Sequence, residues 1–314
     1  LLAQGFFMLS HSVPALTHLP KPNPFLSLIT EQFDLLKKQL ESIDRKSPRG
    51  LIHDLRVLSR RLRASLDLAQ ELIPPSKVRR LRKKVERLTQ TLGPVRSSDV
   101  AFGDLKKRLE SAPDPVGEDL GFLIEKIRKE RRKLKRRLPE TIAKIKIGKT
   151  VKTFNLRGAL SGLDTKKLEE NLHEEILKAS DRVYQGFRTF QRKGKIEDLH
   201  ALRIDLKKWR YLCEMEEQIS PNEGLSDRLK SAKLLQDRLG LIHDREALAE
   251  TVKRRKITRL AKKCGSLKIF KTFLKDLKDE MKDEMEGFRR EGENAIMELI
   301  HFNDSLKPSA AHDS

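Results

Sequence analysis

The chain has 314 residues, 37% of them apolar and 36% charged, with 67 Lys and Arg against 46 Asp and Glu and a net charge of +21. That length accommodates about two domains, each able to bury a core without staples. The cationic surplus points to polyanionic partners: nucleic acid, an acidic membrane surface or polyphosphate, with acidic proteins also within reach. Only Cys213 and Cys264 are present, at a spacing that argues against a disulfide scaffold and a zinc site and leaves a reducing cytoplasm as the default. No run approaches the ~18 apolar residues of a membrane span. The 13 Phe, 2 Tyr and 1 Trp are few for a protein that stacks bases.

Residues 1–21 read as an irregular tail, broken by Pro14 and Pro20 and without the basic start of a signal peptide. A first helix is expected from Pro24 to Arg45, with Phe25, Leu28, Ile29, Phe33, Leu36 and Leu40 as its apolar stripe, and Ser47-Pro48-Arg49-Gly50 ends it. A second runs to Ile73, where Pro74-Pro75 stops it. A third spans Lys77 to Leu92, with Gly93-Pro94 as its expected end, and a short helix follows from Ser98. Glu118 to Leu138 forms one long helix in which nine of the twelve residues from Lys126 to Arg137 are basic. Pro139 is read as its boundary. Residues 140–164, with Gly148, Gly158 and Gly162, then form a connector that is helical at most in part. The order repeats after it. Helices are expected at Thr165 to Gln191, on to Ile219, from Leu225 to Leu239 with Gly240 as a stop, from Arg245 to Arg255, and from Ser266 to Phe302. A basic run, Lys253 to Lys263, precedes the last, and residues 303–314 read as a disordered tail. No segment has the period of a strand.

The repetition is also visible in the residues. Ile52 to Leu66, IHDLRVLSRRLRASL, returns as LHALRIDLKKWRYLC, Leu199 to Cys213, at an offset of 147 residues. Leu92-Gly93-Pro94-Val95-Arg96 lies under Leu239-Gly240-Leu241-Ile242-His243 at the same offset. Two distant blocks in one register imply an internal duplication. On a helix, His53, Arg56, Arg60 and Arg63 share an arc of about 80°, opposite Leu55, Leu58, Leu62 and Leu66. His200, Arg203, Lys207 and Arg210 do the same opposite Leu202, Leu206, Trp209 and Cys213. Each cationic stripe is roughly 15 Å long at the α-helical rise, a length suited to an extended polyanion. Glu214 falls within the second stripe and is expected to orient Arg203, Lys207 or Arg210.

The paired pattern of His followed at +3, +7, +8 and +10 by basic residues resembles the conserved histidine α-helical domain family, CHAD. So do the Leu-Gly blocks LGPVRSSDV and LGLIHDREAL, and Arg210-Tyr211 with Glu214. The likeness covers roughly residues 22–302. It implies an all-α fold of two four-helix bundles related by a pseudo-two-fold axis, residues 22–139 and 165–302, around a basic central groove. It also implies binding of inorganic polyphosphate without catalysis. His53, Arg56, Arg60, Arg61, Arg63, His200, Arg203, Lys207, Lys208 and Arg210 are the expected phosphate contacts. Ser97 departs from the family by standing where Asp244 stands in the second copy, so a hydrogen bond or cap is expected to be missing there. Some members carry a tunnel-type triphosphatase domain with a Glu-x-Glu-x-Lys signature. Glu214 to Gln218 approaches it only with Gln in place of Lys, so the stand-alone form is expected.

A basic helix face is ordinarily a solvated one, but here the same spacing occurs twice. Three readings of His53 and His200 stay open: phosphate hydrogen bonding, a structural bond across the bundles, and metal ligation or phosphoryl transfer, the last disfavoured by the cations beside each ring. His173, His243 and His301 are placed at helix ends or surfaces. With no nucleophile–base pair or paired carboxylates in sight, no catalytic residue, metal or cofactor is expected. The competing reading is a helical protein that binds nucleic acid through its phosphate backbone. A cytoplasmic protein is expected, with association with polyphosphate granules as one of several open roles.

Overall fold

The computed structural model of the chain describes residues 23–72, 75–110, 116–153, 164–221, 224–253 and 267–300, and every regular element among them is a helix. In chain order they are α1 (Pro24–Glu41), α2 (Arg49–Leu72), α3 (Pro75–Glu110), α4 (Val116–Ile145), α5 (Ile147–Thr153), α6 (Thr165–Lys193), α7 (Ile196–Ile219), α8 (Leu225–Lys253) and α9 (Leu267–Ile300). The expected tails, residues 154–163 of the connector, Cys264, His301 and all but the first residue of the run Lys253 to Lys263 lie outside the described residues. No described helix is long and apolar enough to cross a membrane.

Local chemistry sets several of the boundaries. The Asn23 side chain accepts from the backbone N–H of Phe25 at 2.9 Å, and Pro24 sits at the first helical position, where its missing donor costs nothing. Asp164 caps α6 in the same way, accepting from Lys166 N–H at 2.9 Å, and Gly194, at φ 63°, closes that helix in the left-handed conformation. The two caps are joined, because the Asn23 amide donates to Thr165 Oγ1 at 3.1 Å. α2 and α7 are each 24 residues long, and their ends stand at the 147-residue offset. The contacts they make with the following helices share that register too. Thr89 donates to Ser59 at 2.9 Å, and Gln236 donates to the Leu206 carbonyl at 3.1 Å. These correspondences are compatible with the duplication.

Three breakers act differently from the expectation. Gly93-Pro94 does not end α3, Gly240 does not end α8, and Pro139 does not end α4; each helix runs straight through. At Pro94 the ring removes one backbone donor from its turn. The Arg56 guanidinium, arriving from α2, donates to the Thr89 carbonyl at 3.0 Å, one residue before the Gln90 carbonyl that loses its backbone partner. The first fourteen residues of the expected connector are accordingly helical, except for the turn at Lys146, where φ is 54°.

α1, α2, α3 and α4 pack in succession, as do α6, α7, α8 and α9, and α9 returns to α6. The halves also touch through α1 with α7, α2 with α6 and α7, α3 with α8, and α4 with α9. Two buried clusters result, and both draw on both halves. The larger holds Phe25, Leu62 and Leu66 together with Phe187, Trp209 and Phe288. The smaller joins Leu105 and Leu123 to Leu248 and Leu277. Trp209 and Cys213 are buried as expected, and the Trp209 indole donates to Ser180 Oγ at 2.9 Å. With each apolar face held in these clusters, the cationic faces of α2 and α7 have one place left to go, the space between the halves.

Candidate anion-binding site

Two cavities open there, of about 830 and 910 Å³. Arg56, Arg60, Arg203, Lys207, Tyr211 and His243 line both, so the cavities are two arms of one groove that meet at this cluster. One arm adds His53, Arg61, Arg96 and Arg210, and the other adds Arg63, Arg82, His200 and Lys208. All ten residues singled out in the sequence thus border the groove. The helical stripe was legible because its apolar counterpart was.

The centre of the groove is cationic and half-buried, and its charges oppose one another. Burial, with Arg203, Arg60, Arg56 and Arg210 around it, pulls the Lys207 ammonium down to about 6. Burial and the neighbouring Arg60, Arg203 and Arg96 lower even the Arg56 guanidinium, to about 10. The Nε groups of Arg60, Arg63 and Arg203 are buried with no hydrogen-bond acceptor among the described residues. Buried donors without acceptors, held among like charges, are what an anion would satisfy.

Asp244 sits half-buried beside Arg203, Arg96 and Lys207, and three other carboxylates at the groove are engaged in ion pairs. Glu214 accepts from Arg61 of the first half at 2.8 Å and lies 3.2 Å from Arg210, while Arg203 and Lys207 are not among its partners. Glu175 takes Lys208 at 3.3 Å, and Asp67 takes Arg82. Arg61 and Lys208 are therefore already paired, and the central cations are not. Glycine decides one approach. A Cβ on Gly93 would stand 3.2 Å from Arg56 Nη1, so the bare backbone lets that guanidinium lie against α3. At Gly240 the corresponding Arg203 is 3.8 Å away.

The two histidines are not equivalent. His200 Nε2 lies 2.7 Å from Glu246 and 3.0 Å from His243 Nδ1, in a triad bridging α7 and α8. His53 is exposed at the mouth of one arm, and burial and Arg96 lower its pKa. In the first half Arg96 occupies the place of His243, and Asp99 that of Glu246. Asp99 is fully buried and faces away, taking Arg131 and lying 3.8 Å from Lys135 of α4. No cap is missing at Ser97, because α3 and α8 are continuous and neither Ser97 nor Asp244 begins a helix.

His243, placed at a surface by the sequence reading, sits at the crossing of the two arms. Burial, Arg203, His200, Lys207 and Arg56 push its pKa down to about 4. The signal for it was its alignment with Arg96 in the two Leu-Gly blocks. Lys233 and Arg238 also line the groove without any sequence signal. His200, His243 and Glu246 are close enough to share a metal ion, their ligand atoms lying within 4.8 Å of one another. The cations that oppose a proton on His243 oppose a divalent ion equally. His173, by contrast, is at a pocket edge, 3.6 Å from Glu216.

The family model for the CHAD domain matches residues 27–253, well over half of the chain. The chain belongs to the CHAD domain family. The solved CHAD domain from the plant Ricinus communis is similar to it at a TM-score of 0.66 with 17% identity, covering 88% of this chain and 90% of that one. PptA from Streptomyces chartreusis is similar at 0.55 with 15% identity, covering 90% and 98%. At these identities the likeness is one of fold. No curated protein matches the sequence. Within this CHAD protein α2 and α7 supply most of the groove's cations, and α3 and α8 add Arg96, Lys233, Arg238 and His243.

Proposed function

We propose that this CHAD protein binds inorganic polyphosphate, without catalysis, along the groove between α2 and α7. The observation that carries this reading is the half-buried central cluster of Arg56, Arg60, Arg203 and Lys207, in which the Nε donors of Arg60 and Arg203 have no acceptor among the described residues, and burial and the crowded cations lower the pKa of Lys207. A small anion would neutralise one end of it. A flexible chain with a charge on every unit would run through both arms. Arginine forks grip non-bridging oxygens in pairs, and Lys207 adds a mobile point charge. Nucleic acid fits less well, because Tyr211, which both arms share, is 5% exposed and offers no face for stacking.

Ligand that binds only the folded chain stabilises it by mass action. Long-chain polyphosphate should therefore raise the melting temperature, while orthophosphate at equal phosphate concentration should not. It should also displace any bound RNA. Equal shifts with both anions, or turnover of labelled polyphosphate in the presence of a divalent metal, would overturn the reading.

A further inference from the structure

A second cationic surface lies outside the groove, on α4. Lys129, Arg132, Lys133, Arg136 and Arg137 recur at helical spacing, all exposed, and together line a shallow cavity of about 560 Å³ to which no acidic residue contributes. Three other basic residues of this stretch have different work. Arg128 pairs with Glu125 at 3.0 Å, Arg131 and Lys135 converge on the buried Asp99, and Arg128 and Arg131 both lie over the Phe102 ring. None of the five outward cations forms an ion pair among the described residues, and Glu125 and Glu140 of the same helix pair with Arg128 and Arg45 instead.

An ordinary solvated helix face mixes its signs. α9 shows this: its exposed residues include Lys275, Asp276, Lys278, Asp279, Lys282, Asp283 and Glu286, and Lys282 lies 3.7 Å from Glu286. The α4 ridge has five like charges within about 12 Å at the α-helical rise, at spacings where they repel. It carries no exposed aromatic ring for bases and no exposed apolar side chain to enter a lipid surface. Among the described residues the exposed large apolar ones, Leu35, Ile204, Leu234 and Leu241, lie on other helices. The ridge is therefore built for charge alone.

Its position relates it to the groove. The buried side of α4 packs on α3, and Arg96 and Ser97 of α3 line one arm. The ridge faces the opposite way, roughly two helix diameters, or about 20 Å, from the groove wall. We infer that the α4 ridge is a second contact for the same polyphosphate chain, engaging the length that emerges from the groove. This rests on the groove reading above. A chain held at one site presents its free end to the other at high effective concentration, so a weak second contact strengthens binding of long chains only.

The test compares a short polyphosphate that fills the groove with a long one, on the intact protein and on a variant with Lys129, Arg132, Lys133, Arg136 and Arg137 all replaced by Gln. These positions are exposed and Gln is a good helix former, so helicity and melting temperature should be retained; Arg132→Gln/Arg136→Gln is the milder second variant. Short-chain affinity should be unchanged. Long-chain affinity should fall about tenfold or more, and its salt dependence should flatten by roughly three to four units of logarithmic slope for five contacts. Unchanged long-chain binding, an equal loss for both chains, or duplex DNA displacing the long chain from the ridge would overturn the proposal. Failure of the short chain to bind the intact protein would count against the groove alone. The ridge would then be read from residual long-chain binding by Arg56→Glu/Arg203→Glu, which the five-fold Gln variant must lack.

Discussion

Lys207 shows how the groove is poised. Arg56 and Arg60 approach it from α2, Arg203 and Arg210 from its own helix, and His243 stands across on α8. With a pKa near 6 in the free groove, its amine is mostly uncharged at neutral pH. A bound phosphate favours the ammonium and raises that pKa, so binding above about pH 6 takes up protons. Affinity should then rise as pH falls from 8 towards 6, by up to about tenfold per unit for each proton taken up. Calorimetry in buffers of different ionisation enthalpy should register the uptake, and Lys207→Gln should flatten the profile. A pH-independent affinity in the unmodified protein would contradict this role. The sequence made Lys207 visible as a member of a stripe. It could not show the burial that sets its charge, nor bring His243 beside it, because both depend on α8 closing over α7.

At the scale of the element, the misread breakers are instructive. Gly93, Pro94, Gly240 and Pro139 carry the residue types that stop helices, and all four lie inside one. What overrides them is tertiary: α3, α4 and α8 each place residues in both buried clusters, so a break would pull apolar side chains out of one of them. The two glycines should also respond differently to alanine. Gly240→Ala places a methyl at ordinary contact with Arg203 and should stabilise the protein by up to about 1 kcal/mol through helix propensity. Gly93→Ala crowds the Arg56 guanidinium and disturbs its bond to Thr89, so its stability gain should be smaller and its polyphosphate affinity lower. Denaturant unfolding and a binding titration on both variants check this; identical behaviour would remove Gly93 from the site. Where pattern alone governs, in α2 and α7, the expected faces, lengths and buried residues were readable without the structure.

For the whole molecule, the groove exists only because the halves are joined. Arg61 crosses to Glu214, Asn23 to Thr165 and Ser65 to Met215, and both buried clusters are shared. The repeat of the two blocks anticipated a duplication, and the matching lengths and register of α2 and α7 are compatible with it. The repeat did not reveal the asymmetry of the halves. The second half ties His200 into a triad with His243 and Glu246, while the first leaves His53 exposed and turns Asp99 towards α4. That difference arises from partners on other helices, which no spacing within one block encodes. The central claim is that one polyphosphate chain lies between α2 and α7, and charge reversal on both sides of the groove tests it most directly. Polyphosphate binding to Arg56→Glu/Arg203→Glu, measured by titration calorimetry alongside circular dichroism, should be weaker by about 100-fold or more, as expected for losing two charged hydrogen-bonding groups, with helicity unchanged. Affinity equal to that of the unmodified protein in a folded double variant would contradict the account.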